Sequence, residues 1–221
     1  MEIKTILNSL VDLFFPMRCI HCDDVIITSQ TLCAYCAGNL SYTHWELDRK
    51  NKAFKQLYQN CRVEAAYSLL HFDKRNATQS ILHEIKYKNR PELGISLADK
   101  IQLDLSNFDG IIPIPLHSKR LKSRGYNQIE LFAKQLAINN QLPYLDKLLI
   151  RDRFNSSQVF KSKKERINDL KNAFLLTDTT IKGHYIVVDD LLTTGATLSQ
   201  AVLPFNDLND VKISVITIAC A

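Results

Sequence analysis

No stretch of this 221-residue chain approaches the roughly 20 consecutive apolar residues that a membrane-spanning helix requires, so no span is expected. No internal repeat is visible, which excludes solenoid and propeller architectures, and no low-complexity tract interrupts the chain. Neither sign of charge dominates: 28 basic against 23 acidic residues leave +5, a balance that permits anionic partners without demanding them. The first fifteen residues carry Ile3, Ile6, Leu7, Leu10 and Phe14 on a helical period. Glu2, Lys4, Asn8 and Asp12 interrupt that run, so the continuous apolar middle of a secretory leader is missing. A docking helix is expected there, with a leader or membrane-surface anchor as the rival. A cytoplasmic location follows as an expectation. What is present, 46% hydrophobic and 23% charged residues, is ordinary for a globular protein with room for one αβ core and a small appendage.

Four of the six cysteines fall as Cys19-x-x-Cys22 and Cys33-x-x-Cys36, with ten residues between the pairs. Each pair makes a tight knuckle presenting two thiolates to one point, and two knuckles complete a tetrahedral Cys₄ site of the structural-zinc kind. A segment this short has little core of its own, so metal binding would supply its folding energy. Disulfides are the rival reading, disfavoured in a reducing compartment. With four thiolates the shell is closed, which leaves no position for a catalytic water, although His21 inside the first knuckle is a possible substitute ligand. Cys61 and Cys220 stand alone and read as small buried hydrophobes.

The strongest functional string is Tyr185-Ile-Val-Val-Asp-Asp-Leu-Leu-Thr-Thr-Gly-Ala-Thr197. A buried-type strand, Tyr185–Val188, runs into two carboxylates, Asp189 and Asp190. A hydroxyl-rich turn follows, and a helix is expected over 196–208. Free backbone N–H groups at a helix start, with Thr193, Thr194, Gly195, Ala196 and Thr197 around them, form an anion cradle. The carboxylates before it accept from neutral hydroxyls but repel a bare phosphate. Phosphate on one side and sugar hydroxyls on the other describe a ribose 5-phosphate. The string resembles the phosphoribosyl pyrophosphate (PRPP) signature of type I phosphoribosyltransferases. That resemblance implies that Asp189 and Asp190 hold the ribose hydroxyls and that residues 193–197 hold the 5′-phosphate.

Strand and helix patterns alternate along the rest of the chain. Residues 65–72 read as a strand, a helical face follows through Ile81, Leu82 and Ile85, and Pro91 opens another helix through Leu93, Leu97 and Ile101. Asp109–Pro115 is a short buried strand stopped by two prolines. A basic loop over 116–128 precedes a helix from Ile129 to Ile138. Strands are expected around 144–150 and over 211–219. Alternation implies an α/β fold, a mostly parallel sheet flanked by helices, with ligands at the carboxyl ends of the strands. Residues 1–60 are expected to hold the N-terminal helix, the cysteine module and a strap over 42–60; residues 61–221 form the main domain. PRPP also carries a pyrophosphate and travels with Mg²⁺, so a second basic pocket is needed, and Lys119, Arg120 and Arg124 are the candidates. The polar, glycine-free run from Arg151 to Phe174, with Arg153 and Arg166, reads as a lid.

Taken in order, these pieces resemble the ComF family, named for competence and DNA uptake. The resemblance rests on the Cys₄ module, His83–Lys88, Pro-Ile-Pro followed by Arg120 and Arg124-Gly-Tyr-Asn-Gln128, Arg151-x-Arg153 with Gln158, Arg166-x-Asn168, and the loop through Thr197. Asp23 stands where a glycine often follows the first knuckle. The resemblance implies a factor in DNA uptake or utilisation that binds PRPP or a related ligand and single-stranded DNA, and works with DNA-uptake proteins. Tyr35, Trp45, Tyr87 and Tyr126 are candidates for stacking bases. The alternative it leaves open is an active phosphoribosyltransferase of nucleotide metabolism that moves ribose 5-phosphate from PRPP to a nitrogen nucleophile. It names no catalytic residue.

Overall fold

Two strands rich in β-branched residues, Tyr185–Val188 and Val211–Ile218, lie at the centre of the molecule, where both faces of a strand are covered and polar alternation is largely lost. A computed structural model describes residues 16–26, 30–151 and 173–221. The helix expected over 1–15 and most of the lid expected from Arg151 to Phe174, with Arg153, Gln158, Arg166 and Asn168, lie outside the described residues; the two ends of that run, Arg151 and Phe174, are strand residues.

Through the described residues the order is α1 (Ala34–Gly38), α2 (Lys52–Tyr58), β1 (Ala66–His71), α3 (Ala77–Tyr87), α4 (Leu93–Ala98), β2 (Gly110–Pro113), α5 (Ser118–Arg124), α6 (Glu130–Asn140), β3 (Leu149–Arg151), β4 (Phe174–Leu176), β5 (Gly183–Leu192), α7 (Ala196–Val202) and β6 (Val211–Cys220). The main sheet runs β1-β6-β5-β2 with every pair parallel, and β3 and β4 form a separate antiparallel ribbon. This is an α/β architecture, a parallel sheet flanked by helices, with the small cysteine module at its N-terminal side.

Alternation along β5 sorts the core into two layers. Ile186 and Val188 face α3, α4 and α6, where Ile81, Leu82, Ile85, Leu97, Phe132 and Leu136 are buried. Tyr185 and Val187 face α2 and α7, against Leu57, Leu198, Ala201 and Val202. Burying an aliphatic side chain of this size contributes about 1.5–3 kcal/mol relative to leaving it exposed. The helices that follow β2 thus lie on one face and the helix that follows β5 on the other. The gap between the carboxyl ends of β2 and β5 is therefore a topological switch point, where an open α/β sheet leaves a crevice.

The strap covers the otherwise open edge of β1: Thr43 N donates to Leu69 O at 3.0 Å and His71 N to Ser41 O at 2.7 Å, with a further bridge between Asp48 and Ala66. Within the strap, α2 is capped by Asn51, whose Oδ1 accepts from Phe54 N at 2.9 Å.

Several boundaries differ from the sequence reading. The basic loop contains α5, a two-turn helix with no buried residue, so hydrophobic periodicity carried no sign of it. Its ends are marked by His117 Nδ1 accepting from Lys119 N at 3.2 Å and by Gly125 at φ 84°. The strand expected around 144–150 shrinks to β3, because β2 is only four residues long and offers Tyr144 a single bridge, at Ile111. The last helix stops at Val202 and passes into a 3₁₀ turn over Leu203–Phe205, since Pro204 has no N–H to donate. Conversely, β5 continues through both aspartates to Leu192.

Candidate phosphoribosyl site and cysteine centre

β5 outruns β2: the pairing with β2 ends at Pro113 opposite Val188, while β6 continues alongside to Leu192 and Cys220. Asp189 and Asp190 therefore stand on a paired strand with one side open to the crevice. Because successive side chains alternate, Asp190 falls on the α3 and α6 face and Asp189 on the face of the β3–β4 ribbon.

Both carboxylates are buried, Asp189 at 9% exposure and Asp190 at 5%. Asp190 is compensated on both oxygens. Lys86 Nζ at the end of α3 lies 3.0 Å from Oδ1, and Gln128 Nε2 donates to Oδ2 at 2.8 Å. Gln128 in turn accepts from Arg124 through Oε1. Among the described residues Asp189 has no such cation in contact, and its Oδ1 accepts from the backbone N–H of Asp190 at 2.9 Å. Burial first, and the neighbouring Asp190 charge second, push its carboxyl up to about 7; the Asp190 N–H, Lys86 and Arg151 pull the other way. Arg151, at the end of β3, feels both Arg120 and Asp189, and its own pKa is lowered chiefly by burial.

Beyond Leu192 the chain turns through Thr193, Thr194 and Gly195 into α7. Gly195 sits at φ 76°, and a Cβ there would come within 3.2 Å of Leu57 Cδ2, so the turn requires glycine twice over. Among the described residues, the amides of Thr193, Thr194 and Gly195 donate to no backbone carbonyl, and Ala196 N reaches only Thr194 Oγ1, at 3.4 Å. Thr193, Thr194, Ala196 and Thr197 are exposed. The turn thus presents hydroxyls and free N–H groups to solvent at the open end of the crevice.

Between α3 and α5 lies a cavity of about 500 Å³, with Lys86, Tyr87, Arg120, Arg124 and Tyr126 in its wall. It gathers Arg120 and Arg124 as the sequence reading required and leaves the exposed Lys119 out of its lining. Lys86, in that wall and paired with Asp190, was not among the candidate cations. The available signal was its place in α3, four residues beyond buried Leu82 on the stripe that faces the sheet. Of the four aromatics considered for base stacking, Tyr35 and Tyr87 are 78% and 68% exposed. Tyr126 instead donates its hydroxyl to Ile85 O at 2.5 Å, and Trp45 packs edge-on against His71.

In the cysteine module, one Sγ from each of Cys19, Cys22, Cys33 and Cys36 lies within 4.8 Å of all the others, so these four could hold one metal ion. A tetrahedron with metal–sulfur bonds of about 2.3 Å has edges of roughly 3.8 Å, and Cys22 Sγ and Cys33 Sγ stand 3.7 Å apart. Cys33 caps α1, with Cys36 N donating to Cys33 Sγ at 3.4 Å. His21 takes no part; its Nδ1 is 3.2 Å from Ser80 Oγ on α3. Asp23 adopts φ 64°, the left-handed conformation a glycine would take without strain. Arg90 Nη2 donates to Thr31 Oγ1 at 3.2 Å, tying the module to the α3–α4 junction. Cys61 and Cys220 are free and buried away from the cluster.

No family model matches the chain. It is similar to DNA utilization protein YhgH of Shigella flexneri, 26% identical over 205 residues that cover 79% of this chain and 90% of that protein. Competence protein F of Haemophilus influenzae is 28% identical over 207 residues, covering 85% of this chain and 90% of its own length. Among solved structures, the glutamine PRPP amidotransferase of B. subtilis complexed with ADP and GMP aligns with 60% of this chain and 30% of its own, at 18% identity and a TM-score of 0.40. Among the described residues no helix is long and apolar enough to cross a membrane.

Proposed function

We propose that this chain, which belongs to the ComF family, serves DNA uptake or use by binding PRPP or a related phosphoribosyl ligand where β5 ends and single-stranded DNA on its basic surface. The observation that carries the reading is the strand end itself: two buried aspartates on the open side of a switch point, followed directly by a turn with uncommitted amides and exposed threonines. The names of its relatives supply the DNA half.

In this reading Asp189 and Asp190 accept from the ribose hydroxyls. Asp190 already engages Lys86 and Gln128, yet a carboxylate has about four acceptor positions and keeps room for a hydroxyl donor. Thr193–Thr197 take the 5′-phosphate. Arg120, Arg124 and Lys86, with Lys119 nearby on α5, neutralise the pyrophosphate arm, and Mg²⁺ accompanies it. Structural zinc holds the cysteine module, whose four sulfurs fit it in number and spacing. The protein acts in the cytoplasm together with DNA-uptake proteins. Residues 1–60 and 61–221 are its two units, and Arg153 and Arg166 belong to the segment that closes over the ligand.

Calorimetric titration of the full chain with Mg²⁺-PRPP tests this. Binding is expected, with Asp190→Asn weakening it at least about tenfold. Thr197→Val, which leaves the Lys86 pair intact, weakens it by less. Absence of heat with the wild type would remove the reading. Transfer to a nitrogen nucleophile is the second reading. It is favoured by cations gathered beside the two acids, where departing pyrophosphate would collect charge. Labelled PRPP with a panel of bases decides it by pyrophosphate release.

A further inference from the structure

We propose that the phosphoribosyl ligand and single-stranded DNA exclude one another, because both draw on the cations of the cavity between α3 and α5. The inference rests on the phosphoribosyl reading and adds a regulation to it: the small ligand releases the nucleic acid.

The cavity has two kinds of wall. Lys86, Arg120 and Arg124 bring three cations to a space of about 500 Å³. A volume of ~300–1,000 Å³ suits one small ligand at a time. Tyr87 adds an aromatic ring that is 68% exposed, with the Arg124 guanidinium 5.3 Å from its centre. An exposed ring flanked by a guanidinium is a surface on which an unpaired base stacks while its phosphates meet the neighbouring cations. A pyrophosphate and a phosphodiester offer these side chains the same anionic oxygens. One set of cations in one space cannot serve both.

The coupling extends into the sugar site. Arg124 donates to Gln128, Gln128 donates to Asp190, and Lys86 pairs with Asp190. An anion that draws Lys86 or Arg124 into the cavity takes compensation away from Asp190, whichever ligand supplies it. Occupation of the cavity by a DNA phosphate therefore alters the carboxylate that would hold the ribose, and the reverse also follows by linkage.

The test is fluorescence anisotropy of a short single-stranded oligonucleotide with the full chain at fixed ionic strength, since added ions alone weaken such binding. Mg²⁺-PRPP is expected to raise the apparent Kd in proportion to its concentration, without a plateau. Mg²⁺-pyrophosphate should do the same. Ribose 5-phosphate, which has no pyrophosphate arm, should displace nothing. Arg120→Gln, an exposed change on α5, should weaken both PRPP and the oligonucleotide, and Tyr87→Ala should weaken the oligonucleotide about tenfold. An oligonucleotide affinity that stays constant or levels off while calorimetry shows PRPP bound would overturn the competition alone. An oligonucleotide that fails to bind the free protein also overturns it. Calorimetric silence toward PRPP overturns the phosphoribosyl reading instead.

Discussion

The cysteine module and the end of β5 reach ordered geometry by opposite routes. In the module four sulfurs converge within one short stretch of chain, and among its described residues Cys19, Ile26, Leu32 and Cys36 are the buried ones. At the strand end the convergent groups come from distant elements, Lys86 on α3, Gln128 before α6 and Asp190 on β5, and a parallel sheet buried on both faces holds them. A local ligand set depends on its ion. A set assembled from distant elements depends on the core, and each of its charges must be matched where it lies.

The largest break in that comparison is expected from the metal. Cys36→Ser, or a strong chelator, should abolish zinc stoichiometry and withdraw metal-coupled folding energy of the order of 10 kcal/mol from the module. Hydrogen exchange should then rise across residues 16–40 while the amides of β5 and β6 stay protected. Equal loss of protection in both regions would show that the module is not held separately.

Next in size is Lys86→Met, which leaves Asp190 buried without its cation and should cost about 3 kcal/mol in denaturant unfolding. Adding Asp190→Asn removes the orphaned charge and should recover most of the loss. A non-recovering double variant would mean that Lys86 acts by packing rather than by charge.

Asp189 sharpens the comparison through pH. Its folded pKa is raised to about 7, above the ordinary aspartate range that the unfolded chain retains. The folded state therefore holds the proton more tightly. The contribution to stability is full below about pH 4 and is lost as pH rises toward 7. Asp189→Asn should remove that downward slope and raise stability at pH 8 relative to wild type. A stability curve of unchanged slope would place the titration elsewhere.

The smallest effect is expected at Asp23. Asp23→Gly relieves the left-handed backbone strain but gives up an exposed ion pair with Arg18, so the module should gain no more than about 1 kcal/mol, read as metal retention against a chelator.

Legibility in the sequence follows the same division. The cysteine spacing and the Asp-Asp-x-x-Thr-Thr-Gly string are local patterns, and both were readable before any fold was known. The mostly parallel sheet and most strand positions followed from buried β-branched runs alternating with helical patterns; the strand order did not. The partners of Asp190 did not, because nothing in a linear string says that Lys86 and Gln128 meet there. Helix α5 escaped because all of its residues touch solvent and its charges resemble a loop. The opposed directions of Asp189 and Asp190 could have been read from strand alternation, had β5 been extended past Val188.

The most direct measurement of the central claim is residue-level hydrogen exchange with and without saturating Mg²⁺-PRPP. The account predicts that amides over residues 193–197 gain protection first and most, with smaller gains at Asp190 and at the end of α3. Protection confined to other surfaces, or none at the turn despite measured binding, would contradict it.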